Sequence, residues 1–313
     1  MKPSWAAELG ERLGGEVERA VLLPGGASKE AWAVDLRAGE GTSALLVRRA
    51  AGGVIHADTL SLDHEFRVLE AAQAAGVNVP RPVTYLGELG GREAFAMERV
   101  DGETIGRRIV RDPPAALPLQ MAEELVRIHA IPPETLPFLP EANTVARMRE
   151  ELDSVNEPHP AIELGLTWAD ERLPRGRGHV VCHGDWRIGN LVVTEAGLGH
   201  VLDWEFARLG DPAEDLAWPL VRAWRFGADD RRLGGVGEVE PYLERYNELT
   251  GREIALDELA VWEVLGNAKW AVGALTQSRR HLNGLERSVE LAVLGRIAAE
   301  MEYELLDLIE RAA

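Results

Sequence analysis

Residues 180–218 read VVCHGDWRIGNLVVTEAGLGHVLDWEFARLGDPAEDLAW, and they restrict the fold more than any other part of the chain. Asp185, Asn190, Asp203 and Glu205 crowd together among apolar residues. A buried carboxylate without a partner is costly, so the fold must bring positive charge to these acids. The cations nearby in sequence are Arg187 and Arg208. Two short apolar runs, NLVV and GHVLDW, flank TEAGL and read as a small hairpin. Asn190 then leads into one arm of that hairpin and Asp203 follows the other.

The flanking sequence divides in character near residue 100. Before it, EVERAVLL, EAWAVDLRA and SALLVRR alternate or run apolar around the turn-rich PGGASKE and GEGT, which reads as antiparallel strands. LSLDHEFRVLEAAQAAG carries Leu62, Phe66 and Leu69 on one helical face and stops at Gly76. RPVTYLGELGGREAFAMERV gives two more strands around a Gly-rich turn. Beyond MERVDGET the pattern is mostly helical, with helices expected at 115–130, 141–156 and 240–250 and an amphipathic stripe of Leu294, Ile297, Met301, Leu305 and Ile309. No internal repeat or low-complexity linker interrupts this order.

Composition narrows the function classes. The net charge is −18, most of it after residue 100, which argues against nucleic acid or an anionic membrane as partner. No apolar run is long enough to span a membrane, and the first residues lack the apolar core of a secretion signal. Cys182 is the single cysteine, so no internal disulfide can form; a cytoplasmic location is the expectation. Cys182 lies in an apolar run and reads as a buried small residue. The histidines show no zinc-ligand spacing, and His129, one turn after Leu125, reads as a core histidine.

His183-Gly184-Asp185 followed by Asn190 is similar to the H-R-D-x-x-x-x-N catalytic loop of protein kinases. With LDWE and GDPAEDLA after it, the chain resembles the aminoglycoside phosphotransferase family of small-molecule kinases. The LVRR strand, the EFRVLE helix and VRAWRFG are most similar to the branch related to acyl-CoA dehydrogenase-associated phosphotransferases. The resemblance implies an α+β, protein-kinase-like fold. Residues 1–100 would be an antiparallel-sheet nucleotide lobe with one main helix, and residues 101–313 a mostly helical lobe with the catalytic loop. It implies Asp185 as catalytic base, Asn190 and Asp203 as ligands of Mg²⁺, His183 as structural, and Asp215 as the brace of the catalytic loop. Glu205 would approach the metal or water and is a candidate substrate residue.

The same resemblance implies an ATP site, with GTP open as the alternative. Gly25, Gly26 and Ser28 of PGGASKE would offer backbone and hydroxyl donors to phosphate. Arg48 stands where kinases carry a lysine, with Arg49 on the opposite strand face and Glu65 as the partner of Arg48. Met97 would line the base pocket, and backbone groups of Glu98 and Val100 would meet the base edge. Phosphoryl transfer to a small-molecule hydroxyl is the expected reaction.

For the acceptor, Arg222, Trp224 and Arg225, with Lys269, Arg279 and Arg280 in the same half, favour an anionic molecule such as a hydroxyacyl-CoA, although tryptophans such as Trp218 and Trp224 are more often core than ligand-stacking. The alternatives are an aminoglycoside or other antibiotic, a nucleotide-binding module without turnover, and a helical scaffold. Oligomeric state is not legible.

Overall fold

The alternation in the first hundred residues becomes a single antiparallel sheet. A computed structural model describes residues 2–24, 29–51, 59–141, 144–174 and 177–312. Strands β1 (Glu16–Leu22), β2 (Lys29–Ala38), β3 (Gly41–Ala50), β4 (Pro82–Leu89) and β5 (Arg92–Glu98) lie in the order β1-β2-β3-β5-β4. Side chains alternate across it. On β3, Leu45, Val47 and Arg49 face one way, where Leu45 and Val47 meet Leu9 of helix α1 (Ala6–Arg12) in a small core. Leu46 and Arg48 face the other, toward helix α2 (Leu62–Ala74) and the rest of the molecule. Helix α1 is a second helix on this sheet that the sequence reading did not anticipate. It is only 7 residues long, too short to carry a periodic signal.

Helix α2 starts on Ser61, whose hydroxyl accepts the N–H of His64 at 3.2 Å. It packs Phe66 and Leu69 into the main core, where Phe95 and Met97 of β5 also lie. Its Glu65 therefore points at the sheet face that carries Arg48.

The second half is built from helices α3 (Gly106–Ile109), α4 (Leu117–His129), α5 (Thr144–Val155), α6 (Pro160–Asp170), α7 (Pro212–Ala217), α8 (Val239–Thr250), α9 (Leu256–Leu282) and α10 (Val289–Arg311). Helices α4, α5, α8 and α10 fall where periodicity predicts them. The 27-residue α9 escaped that reading because it is buried on several sides. Apolar residues then occur around the helix rather than in one stripe. No helix among the described residues is long and apolar enough to cross a membrane.

Two small antiparallel pairs are set into these helices: β6 (Val180–Cys182) with β9 (Arg208–Gly210), and β7 (Leu191–Thr194) with β8 (Gly197–Val201), the hairpin read from NLVV and GHVLDW. The segment after β5 docks on this hairpin: Glu103 N–H donates to Val193 O at 2.8 Å and Val193 N–H returns to Glu103 O at 2.9 Å. Gly102 makes this approach possible, since a Cβ there would lie 2.4 Å from Val192 Cγ1.

Candidate active site

The loop between β6 and β7 presents Asp185. Its carboxylate accepts Nε1–H of Trp218 at 2.7 Å, Nδ2–H of Asn190 at 2.7 Å and Nε–H of Arg187 at 3.1 and 3.2 Å. Three donors from three positions fix both oxygens. Asn190 also donates to the Asp185 carbonyl at 2.9 Å, which curls the five-residue loop back on itself and explains the spacing between the two residues.

Asp215 at the start of α7 holds the loop from beneath. It accepts the backbone N–H groups of His183 at 2.6 Å and Gly184 at 2.9 Å, and it lies 3.2 Å from His129 Nε2. His129 Nδ1 in turn lies 2.7 Å from the Tyr246 hydroxyl. Burial alone would raise the Asp215 carboxyl, but these hydrogen bonds and the two histidines outweigh it and hold it at about 2. His183 is fully buried. Its Nε2 sits 2.9 Å from Leu202 O, and its Nδ1 lies 3.3 Å from Asp185 N, so both ring nitrogens are engaged by the loop and its surroundings, which suits a structural role. Gly184 has φ +81°, and a Cβ there would lie 2.1 Å from Phe206 O, so the loop admits only glycine between His183 and Asp185.

Asp203 leaves β8 with φ +64°, an uncommon backbone conformation for a residue other than glycine. That turn aims its carboxylate at β3, where Arg48 Nη2 donates at 3.1 Å. Arg48 Nε lies 3.2 Å from Glu65. Burial works against ionisation of Asp203, yet Arg48, Lys29 and Arg187 hold its carboxyl below the ordinary range. Glu205 goes the other way: burial and the neighbouring Asp203 push its carboxyl up. Its cationic partner is Lys29 of β2, at 3.1 Å.

These contacts answer the question posed by the crowded acids. Asp203 and Glu205 meet cations delivered by β3 and β2, more than 150 residues away in sequence. Asp185 and Glu214 take the local ones, Arg187 and Arg208. Lys29 had no place among the expected site residues. Its signal was available only through register: Ala31 pairs with Arg48, so Lys29, two residues before Ala31, shares the Arg48 face.

Arg48, Glu65 and Asp203 line a cleft whose apolar walls include Leu46, Leu69, Phe95 and Met97. Such a cleft, with charged groups beside apolar walls, suits a nucleotide. Among its lining is the Asp203 carboxylate, with one-third of its side chain exposed; Asn190 is buried outside that lining, its nitrogen spent on Asp185 and its side-chain oxygen left as a donor to metal. Hard oxygen donors of this kind fit Mg²⁺. Gly25, Gly26 and Ser28 lie outside the described residues. Val100 lies two residues past the end of β5 and is not among the residues that line the cleft. The expectation for Glu98 is corrected in part: its N–H is committed to Arg81 O at 2.9 Å, and its side chain turns out toward Arg81.

The acceptor side also differs from expectation. Arg225 is buried, donates to Leu220 O at 2.8 Å and pairs with Glu263 at 2.8 Å and Glu304 at 3.2 Å. It knits α9 to α10 and cannot reach a substrate at Asp185. Arg222 is taken by Glu304 and Asp229, each at 3.1 Å. Arg279 and Arg280 bond at the far end of α9, to Glu157 and Glu286. The residues that do surround Asp185 are aromatic and cationic. The Arg187 guanidinium lies 4.5 Å over the Trp224 ring, and the Lys269 ammonium 4.8 Å over the Trp218 ring. Trp218 and Trp224 are themselves in tilted contact at 5.6 Å. Burial and the nearby Arg208 lower the Lys269 ammonium to about 8.

Comparison with known proteins agrees with this geometry. The model of the phosphotransferase enzyme family matches residues 19–259. Mouse acyl-CoA dehydrogenase family member 10 is 27% identical over 238 residues, covering 64% of this chain and 21% of that protein. Acyl-CoA dehydrogenase family member 11 of Pongo abelii is 24% identical over 302 residues, covering 87% of this chain and 38% of that one. The chain spans well under half the length of these curated relatives.

Among solved structures, a Ralstonia eutropha protein described as a candidate aminoglycoside phosphotransferase has TM-score 0.77 and 20% identity, with 99% and 98% of the two chains covered. Spectinomycin phosphotransferase, solved with ADP and spectinomycin, has TM-score 0.67 and 15% identity over 97% and 99%. The GDP complex of aminoglycoside 2′-phosphotransferase-IIIa has TM-score 0.64 and 17% identity, with 93% of each chain covered. These likenesses show the kinase-like fold that the sequence resemblance implies. With a family match over most of its length and a catalytic loop of this form, the chain belongs to the phosphotransferase enzyme family.

Proposed function

We propose that this chain moves the γ-phosphoryl group of ATP to a hydroxyl of an anionic small molecule, with residues 1–100 as the nucleotide lobe and residues 101–313 as the catalytic and acceptor lobe. The observation that carries the reading is the Asp185 carboxylate, fixed by Asn190, Arg187 and Trp218 on a loop that Asp215 pins through two backbone hydrogen bonds. A carboxylate so held can orient an attacking hydroxyl and accept its proton, and in phosphoryl transfer most of the catalysis is positioning and charge stabilisation. Asn190 and Asp203 would hold Mg²⁺, which when bound neutralises phosphate charge. Arg48 would clamp phosphate oxygens through its fork of donors. Met97 and its apolar neighbours would take the base, with the Glu98 carbonyl and the Val100 backbone at its edge. The ADP and GDP complexes of the structural neighbours leave both ATP and GTP as donors. A cytoplasmic location fits the absence of a membrane-crossing helix among the described residues.

An anionic acceptor is favoured by Arg187 and Lys269 on the two tryptophans beside Asp185. A hydroxyacyl-CoA or a similar phosphate-bearing alcohol fits this charge, and the acyl-CoA dehydrogenase family names of the relatives point the same way. The test is Asp185→Ala, assayed for ADP release with candidate acceptors and for ATP binding by calorimetry. Turnover should fall by at least about a thousandfold while ATP affinity stays within about threefold. Undiminished turnover in this variant refutes the assignment. A wild-type protein that binds ATP without turnover on any hydroxyl acceptor would instead be a nucleotide-binding module.

A further inference from the structure

We propose that Lys29, and not Arg48, is the residue that locks helix α2 and the loop after Asp203 onto the sheet, which leaves Arg48 to the nucleotide phosphates. The task given to Arg48 rests on the phosphotransfer reading; the task given to Lys29 does not. Lys29 is a positioning residue.

The two cations share one face of the sheet but sit differently on Glu65. Lys29 Nζ donates to Glu65 Oε2 at 2.7 Å, pairs with Glu205 Oε2 at 3.1 Å and donates to Leu60 O at 3.2 Å. An ammonium has three donors, so all three are matched. Lys29 is 8% exposed, so water adds little to this set. Arg48 Nε approaches the other Glu65 oxygen at 3.2 Å without hydrogen-bond alignment, and the aligned bond of Arg48 goes to Asp203.

Register makes the division possible. Lys29 lies opposite Ala50 and Arg48 lies opposite Ala31, so each long side chain crosses a small one on the neighbouring strand. The segment that Lys29 reaches is tied to the same loop a second time, by Leu60 N–H on Glu205 O at 2.8 Å. Lys29 thus joins β2, the approach to α2, α2 itself and the loop after Asp203. Glu65 is 3% exposed at its side chain and needs a cation at all times. With Lys29 supplying that charge, Arg48 can turn its remaining donors to phosphate without releasing α2.

The test compares Lys29→Gln with Arg48→Gln by hydrogen exchange and by calorimetry with ADP in the absence of metal. Lys29→Gln should speed exchange over residues 62–74 and 203–206 at least about fivefold. It should leave the ADP Kd within about threefold and lower kcat by about tenfold or more at little change in KM for ATP. Arg48→Gln should do the reverse, with α2 exchange unchanged and ADP bound at least about tenfold more weakly. Lys29→Arg, which keeps the charge, should restore much of the exchange protection. The proposal is overturned if Lys29→Gln weakens ADP as much as Arg48→Gln does, which makes Lys29 a phosphate ligand. Exchange over 62–74 unchanged in Lys29→Gln overturns it equally. If Lys29→Gln is not recovered folded, Glu205→Gln decides: faster exchange at 203–206 with ADP affinity intact supports the anchor, and unchanged exchange overturns it. Exchange and ADP binding need no turnover, so they read Lys29 even if no acceptor is ever phosphorylated.

Discussion

Asp215→Asn separates the brace beneath the catalytic loop from the loop itself. The wild-type carboxylate accepts two backbone N–H groups, at 2.6 and 2.9 Å, and faces His129 at 3.2 Å. Asparagine keeps the shape but has one acceptor oxygen, and its NH₂ group must face a donor. One buried N–H loses its partner, at about 1–3 kcal/mol, and the remaining bond loses its charge assistance, so the net cost is about 3 kcal/mol. The pH dependence provides an independent check. The folded carboxyl sits at about 2, below its ordinary value. A depressed carboxyl contributes stability that is full above the unfolded pKa of about 3.9 and is lost as pH falls toward the folded one. That contribution is roughly 2.5 kcal/mol at neutral pH, and about half of it is gone by pH 3. Urea unfolding of both proteins at pH 7 and at steps down to pH 3 tests this, because other carboxyls titrate in both and cancel in the difference. The gap should narrow by about 1 kcal/mol over that range. A variant within about 0.5 kcal/mol of wild type at pH 7, or a gap that does not change with pH, refutes the brace.

Two further substitutions probe the acceptor side. Lys269, lowered to about 8, passes from mostly charged to mostly neutral between pH 7 and pH 9. The KM for an anionic acceptor should therefore rise about fivefold to tenfold over that range, Lys269→Met should flatten the rise, and steady-state kinetics at fixed ATP measures both. Arg225→Leu should cost about 2–3 kcal/mol, because Glu263 keeps Arg232 but Glu263, Glu304 and Leu220 O each lose a buried donor, whereas Arg222→Ala, at the more exposed end of the same network, should cost under about 1 kcal/mol. Thermal melts read both, and ADP binding to the folded Arg225→Leu fraction should match wild type.

The difference between Arg225 and Lys269 shows which part of the site was legible in the sequence. Wherever function depends on neighbours a few residues apart, spacing carried it: Asn190 must close the Asp185 loop, Gly184 must pass under Phe206, and the β7–β8 hairpin must bring Asp203 back. The strands and the amphipathic helices were legible for the same reason, since periods of two and 3.6 residues are local. Charge pairing is not local. VRAWRFG looked like a cationic substrate wall, but Arg225 is consumed by Glu263 and Glu304, acids from helices that follow it by 38 and 79 residues. Lys29 read as part of the turn-rich PGGASKE, yet it meets Glu65 and Glu205 because the β2–β3 register sets it beside Arg48. An arginine or lysine can be assigned to a ligand only after every buried acid has been given its partner, because an unpaired buried carboxylate costs more than a solvated cation gains. Applied here, that rule removes Arg222 and Arg225, claimed by buried Glu304 and Glu263; Arg279 and Arg280 are set aside by their place at the far end of α9, beside exposed Glu157 and Glu286. Arg187 and Lys269 also have acid partners, Asp185 at 3.1 Å and Glu214 at 3.8 Å, but those pairs lie at the site itself, stacked on Trp224 and Trp218, and so they are the cations an acceptor would meet.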